Sequence, residues 1–227
     1  MKTILCMKWG TQYGADFVNQ LFNGVKANIT GDFRFICLTD DGSELNPAIE
    51  ALPLPDIKLG DAKLMSGWRK ISSLSPQLTK SPYNIDGTVV FFDVDMIITD
   101  NIDDFWEYEP NNFCIIENWT QKGREIGNSS VYRYELSEMY DIFHDFESRF
   151  DEIYDEYDNE QMYLTKMVAK TRDVKWWPEA WCKSFKIHCM PSRLLRGILT
   201  PKMPAECKIL VFQLANYSAP CEPEWMA

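Results

Sequence analysis

The stretch "TVVFFDVDMIITDNIDDFWE", residues 88–107, decides how this chain is read. Val89, Val90, Phe91 and Phe92 form an uninterrupted apolar run, the signature of a strand buried on both faces. That run ends in Asp93 and Asp95, one residue apart. Side chains at i and i+2 of an extended segment point the same way, so the two carboxylates converge while Val94 faces the core. Two such groups at a strand end are costly unless something positive meets them. Hard oxygen donors in this arrangement suit Mg²⁺ or Mn²⁺, with positions left for phosphate oxygens and water.

The rest of the chain supplies the frame for that strand. "TILCMKW" (3–9) reads as a first strand and "FRFICLT" (33–39) as a second. Between them Phe17, Val18, Leu21, Phe22 and Val25 fall on one helical face. A β-α-β opening of this kind predicts a parallel sheet with a right-handed crossover. "NPAIEALPLPDIKLGD" is broken by prolines and reads as a loop, and "SGWRKISSLSP" as a short helix closed by Pro76. Strands over "FCIIENW" and "SSVYRYE", an acidic amphipathic helix, a helix near "NEQMYLTKMVAK" and a late strand "KILVFQ" follow. The expectation is one α/β domain over residues 1–227.

Composition narrows the function. A formal charge of -11 argues against nucleic acid or an anionic membrane as the main partner. The charge is uneven: residues 135–160 are intensely acidic, whereas 161–208 are rich in Lys and Arg, either as a solvated face or as a place for an anionic ligand. Seven scattered cysteines without a C-x-x-C pair suggest reduced thiols rather than a disulfide frame or a zinc site. No apolar run is long enough for a signal peptide or a membrane span, so a cytoplasmic protein without membrane insertion is expected.

Open α/β sheets bind ligands beyond the carboxyl ends of their strands. Lys8, Trp9 and Tyr13 follow the first strand, Thr39, Asp40 and Asp41 the second, and Asp93 and Asp95 the apolar one. Rings beside hydrogen-bonding groups suit a nucleobase, although for Trp9 and Tyr13 taken alone core packing is the simpler reading.

The segment "VVFFDVDMIITDNIDDFWE" resembles the D-x-D segment of GT-A fold nucleotide-sugar glycosyltransferases, in particular the glycogenin-like group. "CMKWGTQYGADFVNQLFNGV", "FRFICLTDD", "GWRKISSLSP", "GNSSVYRYE" and "NEQMYLT" resemble further segments of that fold in the same order. The resemblance implies a single minimal GT-A domain with a Rossmann-like, mixed and mostly parallel central sheet flanked by helices. It implies a divalent metal on Asp93 and Asp95, chelated by the diphosphate of a UDP-sugar. Lys8, Trp9, Tyr13, Thr39, Asp40, Phe92 and Val94 would then lie on the nucleotide side. Lys70 would stand near the phosphates or the donor sugar, and Asn128 and Ser129 along the sugar and acceptor. Glu160 and Gln161 would lie near the reacting carbon, and Glu160 or Asp158 would be the candidate base if the reaction inverts. The implied partners are a UDP-hexose donor and a small or glycan hydroxyl acceptor, with the protein a monomer or weak homodimer.

The C-terminal part departs from the pattern. The family's H-x-x-G-x-x-K-P-W is replaced by "QLANYSAPC", with Gln213 at the metal-binding histidine, Asn216 for Gly, Ala219 for Lys and Cys221 for Trp. A glutamine oxygen still ligates Mg²⁺ or Mn²⁺, but as a neutral donor. Weak donor affinity, or compensation by Lys8 or Lys70, is the expectation. His144 and His188 read as structural. Two other readings stand beside the transferase: a UDP-sugar binding protein without turnover, and a haloacid-dehalogenase-like phosphatase, whose D-x-D normally lies on the first strand.

Overall fold

A computed structural model describes residues 1–60, 66–196 and 198–212. Its centre is a seven-stranded sheet of order β3-β2-β1-β4-β7-β6-β8. The strands are β1 (Lys2–Lys8), β2 (Phe33–Thr39), β3 (Glu50–Leu52), β4 (Thr88–Phe92), β6 (Phe113–Glu117), β7 (Gly127–Glu135) and β8 (Val174–Trp176). The first four in that order run parallel, β7 is antiparallel to both β4 and β6, and β8 is parallel to β6. A second, three-stranded sheet has the order β5-β10-β9, with β5 (Met96–Ile98), β9 (Cys182–Ser184) and β10 (Ile209–Val211).

The strand alternation places two cores on opposite faces of the large sheet. Leu5, Met7, Ile36, Leu38, Val89 and Phe91 pack on one side with the helices α3 (Tyr140–Glu156) and α4 (Glu160–Thr171) and the 3-10 turn Gly67–Leu74. Ile4, Cys6, Phe35, Cys37, Val90 and Phe92 pack on the other, against α1 (Ala15–Asn28) and the small sheet. Helix α1 buries Val18, Leu21, Phe22 and Val25, the stripe expected from its spacing. The sheet is thus α/β, mixed and mostly parallel. The six described cysteines are all buried and free of disulfides.

Two expectations are corrected and a third is extended. The proline-broken segment contains β3, a three-residue edge strand parallel to β2. Glu50 and Ala51 are exposed, so no alternation announces it, and Pro53 ends it by lacking a donor. The short helix Gly67–Leu74 does end ahead of Pro76, but Pro76 also starts the next element. Ser75 accepts a hydrogen bond from the Gln77 amide at 3.2 Å, and Pro76 opens a second 3-10 turn, Pro76–Thr79, where its fixed φ is favourable. Finally, the apolar strand ends at Phe92 as expected, but the aspartates do not lie on an extended segment: the chain bends over residues 93–95, and Met96 begins β5 in the other sheet.

Candidate functional site

Because β1, β2 and β4 are parallel neighbours, their carboxyl ends open on the same edge of the sheet. The bend after β4 is held from two directions. The Asp93 amide donates to the Ser130 carbonyl of β7 at 2.9 Å, and the Phe212 amide, just past β10, donates to the Asp95 carbonyl at 3.0 Å. Val94, 4% exposed, anchors the turn in the core between them. The two aspartates therefore stand at the crossover between the sheets, each backbone fixed by a different one.

A cleft of about 300 Å³ opens over this crossover. Of the residues expected at a site, Trp9, Tyr13, Lys70, Asp93, Val94, Asp95, Asn128, Ser129, Glu160 and Gln161 line it. Met7, Gln12, Gly67, Ser130 and Phe212 also line it and were not foreseen. Gln12 carried a signal, being a polar residue between Trp9 and Tyr13 in the loop after β1. Phe212 carried none, since only the pairing of β10 with β5 brings it here.

Other expected residues lie elsewhere. Lys8 is buried, and its ammonium donates to the Asp41 carbonyl at 3.1 Å, so it braces a loop rather than reaching the cleft. Thr39 spends its hydroxyl on the Asp41 backbone. Asp40 is exposed and accepts from the Gly10 amide at 2.8 Å, tying together the loops after β1 and β2. Phe92 packs edge-on to Phe105 in the core and presents no side chain to the cleft. Asp158 is exposed and outside the lining. Gln213, Asn216, Ala219 and Cys221 lie outside the described residues. His188 is tied by Nδ1 to the Ser184 backbone, in keeping with a structural role.

Lys70 organises the polar floor. Its ammonium sits 2.7 Å from Asp93 Oδ1 and 2.8 Å from Oδ2, 3.4 Å from the Ser129 hydroxyl and 3.9 Å from Glu160. Burial works against this charge, but Asp93 and Glu160 outweigh it and hold the amine protonated beyond its usual range. Asp95 accepts a hydrogen bond from the Tyr13 hydroxyl at 3.0 Å and forms no ion pair with a described residue. Burial, and then the neighbouring Asp93 charge, push its carboxyl up to about 7. Burial and Asp95 in turn push the Tyr13 phenol up.

The other wall comes from β7 and the start of α4. Asn159 caps the helix by accepting from the Met162 amide at 3.0 Å, which delivers Glu160 and Gln161 to the cleft in its first turn. The Ser129 hydroxyl donates to Glu160 Oε1 at 2.9 Å, and the Ser129 amide to Gln161 Oε1 at 3.3 Å. Gly67 leaves room for the glutamate, since a Cβ there would lie 2.9 Å from Glu160 Oε2. We expect Asn159→Ala to cost about 1 kcal/mol of unfolding free energy, read by urea denaturation. A loss within a few tenths would show that the cap does not hold this helix start.

The lining carries three carboxylates, Asp93, Asp95 and Glu160, against one ammonium, Lys70. That donor set fits a hard divalent cation: Asp93 and Asp95 both line the cleft, and among the described residues the Asp95 charge has no cationic partner in contact. Among the described residues no group of three His, Cys, Asp or Glu side chains gathers around one point.

No family model and no curated protein matches the sequence. Solved structures do match the fold. One is the galactosyltransferase LgtC in complex with donor and acceptor sugar analogs, with a TM-score of 0.62 and 15% identity, over 99% of this chain and 91% of that one. Another is an active-site mutant of LgtC in which a glutamine is replaced by glutamate, with a TM-score of 0.61, 15% identity and the same coverage. The chain has the GT-A fold of that galactosyltransferase.

Proposed function

We propose that the chain is a metal-dependent glycosyltransferase that moves a hexosyl group from UDP-glucose or UDP-galactose to a hydroxyl acceptor. The observation that carries this reading is the pair Asp93 and Asp95, held at the sheet crossover in a cleft with excess negative charge, on the fold of a galactosyltransferase. Asp93 and Asp95 would hold Mn²⁺ or Mg²⁺. The chemistry the cation supplies when bound is neutralisation of the carboxylates and of the charge that develops on the leaving diphosphate.

The protein's own groups divide the remaining work. Trp9, Gln12 and Tyr13 form the wall expected at the nucleotide, an aromatic face with a polar group beside it. Lys70 can exchange part of its contact with Asp93 for a phosphate oxygen, a point charge placed where the diphosphate enters. Glu160 and Gln161, fixed by Ser129, face the transferred sugar. LgtC was solved as an active-site glutamine mutant, and Gln161 is one of two glutamines lining this cleft. Glu160 is held by the Ser129 hydroxyl and lies close to Lys70, so it is poorly placed to collect a proton, which favours retention over inversion.

The test is release of UDP from UDP-hexoses with and without Mn²⁺. Turnover, by transfer or by slow hydrolysis, supports an enzyme; metal-dependent UDP binding without turnover of any UDP-hexose points instead to a binding protein. Phosphatase activity without any need for UDP overturns the transferase reading.

Proton and metal compete for Asp95, which gives a pH dependence. A carboxyl whose folded value is raised from 3.8 to about 7 binds more protons folded than unfolded between those limits, so metal-free stability from this group falls as pH rises through that window. The gain in Tm on adding Mn²⁺ should therefore be larger at pH 8 than at pH 5.5. Equal gains at both values in scanning fluorimetry would remove Asp95 from the metal site.

A further inference from the structure

Five of the seven large hydrophobic side chains exposed among the described residues fall between positions 187 and 199: Ile187, Leu194, Leu195, Ile198 and Leu199. Leu194 is 93% and Ile198 79% exposed. Single exposed leucines are ordinary, but a cluster in one short segment marks a contact surface. The same stretch, residues 183–202, carries Lys183, Lys186, Arg193, Arg196 and Lys202 and not one acidic residue, in a chain of net charge -11. Lys186, Arg193, Arg196 and Lys202 are exposed.

The segment is built rather than trailing. The Lys202 amide donates to the Cys189 carbonyl at 3.0 Å, closing the base of the excursion. Within it the Leu195 amide donates to the Ser192 carbonyl at 2.8 Å and the Leu199 amide to the Leu195 carbonyl at 2.9 Å, so the backbone beneath the apolar side chains is made of hydrogen-bonded turns. Below that base Phe185, Cys189, Cys207, Leu210 and Phe212 form a small core of their own. Phe185 stacks on Phe212 at 4.9 Å, and Phe212 grips Asp95 through its backbone. The excursion is therefore mounted on the small sheet that also holds the cleft.

We propose that residues 183–202 dock the protein on an anionic lipid surface, the apolar side chains entering the headgroup region and the bases meeting the lipid charge. Mixed apolar and basic side chains without acids are the complement of such an interface, and local attraction acts there although the molecule as a whole is acidic. The global charge was the reason to discount anionic membranes; its uneven distribution reverses that at this one face. No helix among the described residues is long and apolar enough to cross a membrane, so the contact is at the surface. The inference is independent of the donor chemistry proposed above.

The experiment is co-sedimentation of the full chain with vesicles of phosphatidylcholine alone or mixed equally with phosphatidylglycerol, at low and high salt. Two double variants, Leu194→Asp with Ile198→Asp and Arg193→Glu with Arg196→Glu, run in parallel, with melting curves as the control for folding. We expect binding to the anionic vesicles only, weakened by salt and reduced about tenfold or more in each variant without a change in Tm. Absence of binding, equal binding to neutral vesicles, or undiminished binding of both variants overturns the proposal. So does a lipid-free dimer that the Leu194→Asp, Ile198→Asp variant dissociates, which would make the patch a contact between copies of the chain.

Discussion

Asp95→Ala should lower metal-dependent UDP affinity by more than about 100-fold while leaving the metal-free protein as stable as before or more so. The first half follows from the charge arrangement. Asp93 is already paired with Lys70 through both oxygens, so removal of Asp95 leaves a locally compensated pair with little attraction for a divalent cation. Groups that merely support a metal ligand are worth about 10- to 100-fold in affinity, and a direct ligand is worth more. The second half follows from the cost of Asp95 in the absence of a cation. Its carboxylate is buried beside a like charge, with a phenol hydroxyl as its hydrogen-bond partner, so its deletion relieves repulsion at neutral pH. Calorimetric titration of UDP with and without Mn²⁺ reads the first effect, and metal-free melting at pH 8 reads the second. Unchanged UDP affinity in Mn²⁺ would dismiss Asp95 as a ligand. A metal-free Tm lowered by many degrees would show that the carboxylate supports the fold instead of the site.

Arg133→Met should destabilise the fold by about 3 kcal/mol or more, because four backbone carbonyls, one buried and three partly buried, lose their donor at once. Arg133 lies on β7, is 2% exposed and forms no ion pair with a carboxylate among the described residues. Its Nη1 donates to the carbonyls of Phe105 at 2.8 Å and Tyr108 at 2.7 Å. Its Nη2 donates to those of Glu109 and Asn112 and contacts the Cys114 sulfur, and the guanidinium lies 5.5 Å from the Trp177 ring centre. One planar fork thus pins the whole connection from α2 (Asp104–Glu107) into β6 against β7. Methionine fills a similar volume but donates nothing. Arg133→Lys should recover only part of the loss, since an ammonium on a flexible stem cannot serve so many acceptors in one plane. Urea denaturation reads both variants; a loss below about 1 kcal/mol for the methionine would mean that water or rearranged backbone satisfies those carbonyls.

What the sequence determined by itself were the elements whose pattern is local. The apolar run into Asp93 and Asp95, the stripe on α1 and the opening β-α-β unit are each stated within one segment, because side-chain alternation and helical period follow from backbone geometry alone. The short strands escaped that logic. β5, β8 and β9 are three residues each, too short for a period to be read, and exist because partners from distant segments complete their hydrogen bonds, whereas the equally short β10 lies inside the apolar run "KILVFQ" and was legible.

The site divides along the same line. That Asp93 and Asp95 stand at a strand end was legible; that they stand where two sheets meet was not. Glu160 and Asp158 are two residues apart and indistinguishable by type, yet the Asn159 cap turns the first into the cleft and leaves the second in solvent. Lys8 read as a cleft cation and is a loop brace, whereas Lys70 meets Asp93 because the 3-10 turn that carries it packs against α3 and α4. Spacing fixes which way a side chain leaves its own element, but only the packing of elements decides what it meets there, since that depends on contacts between segments far apart in the chain.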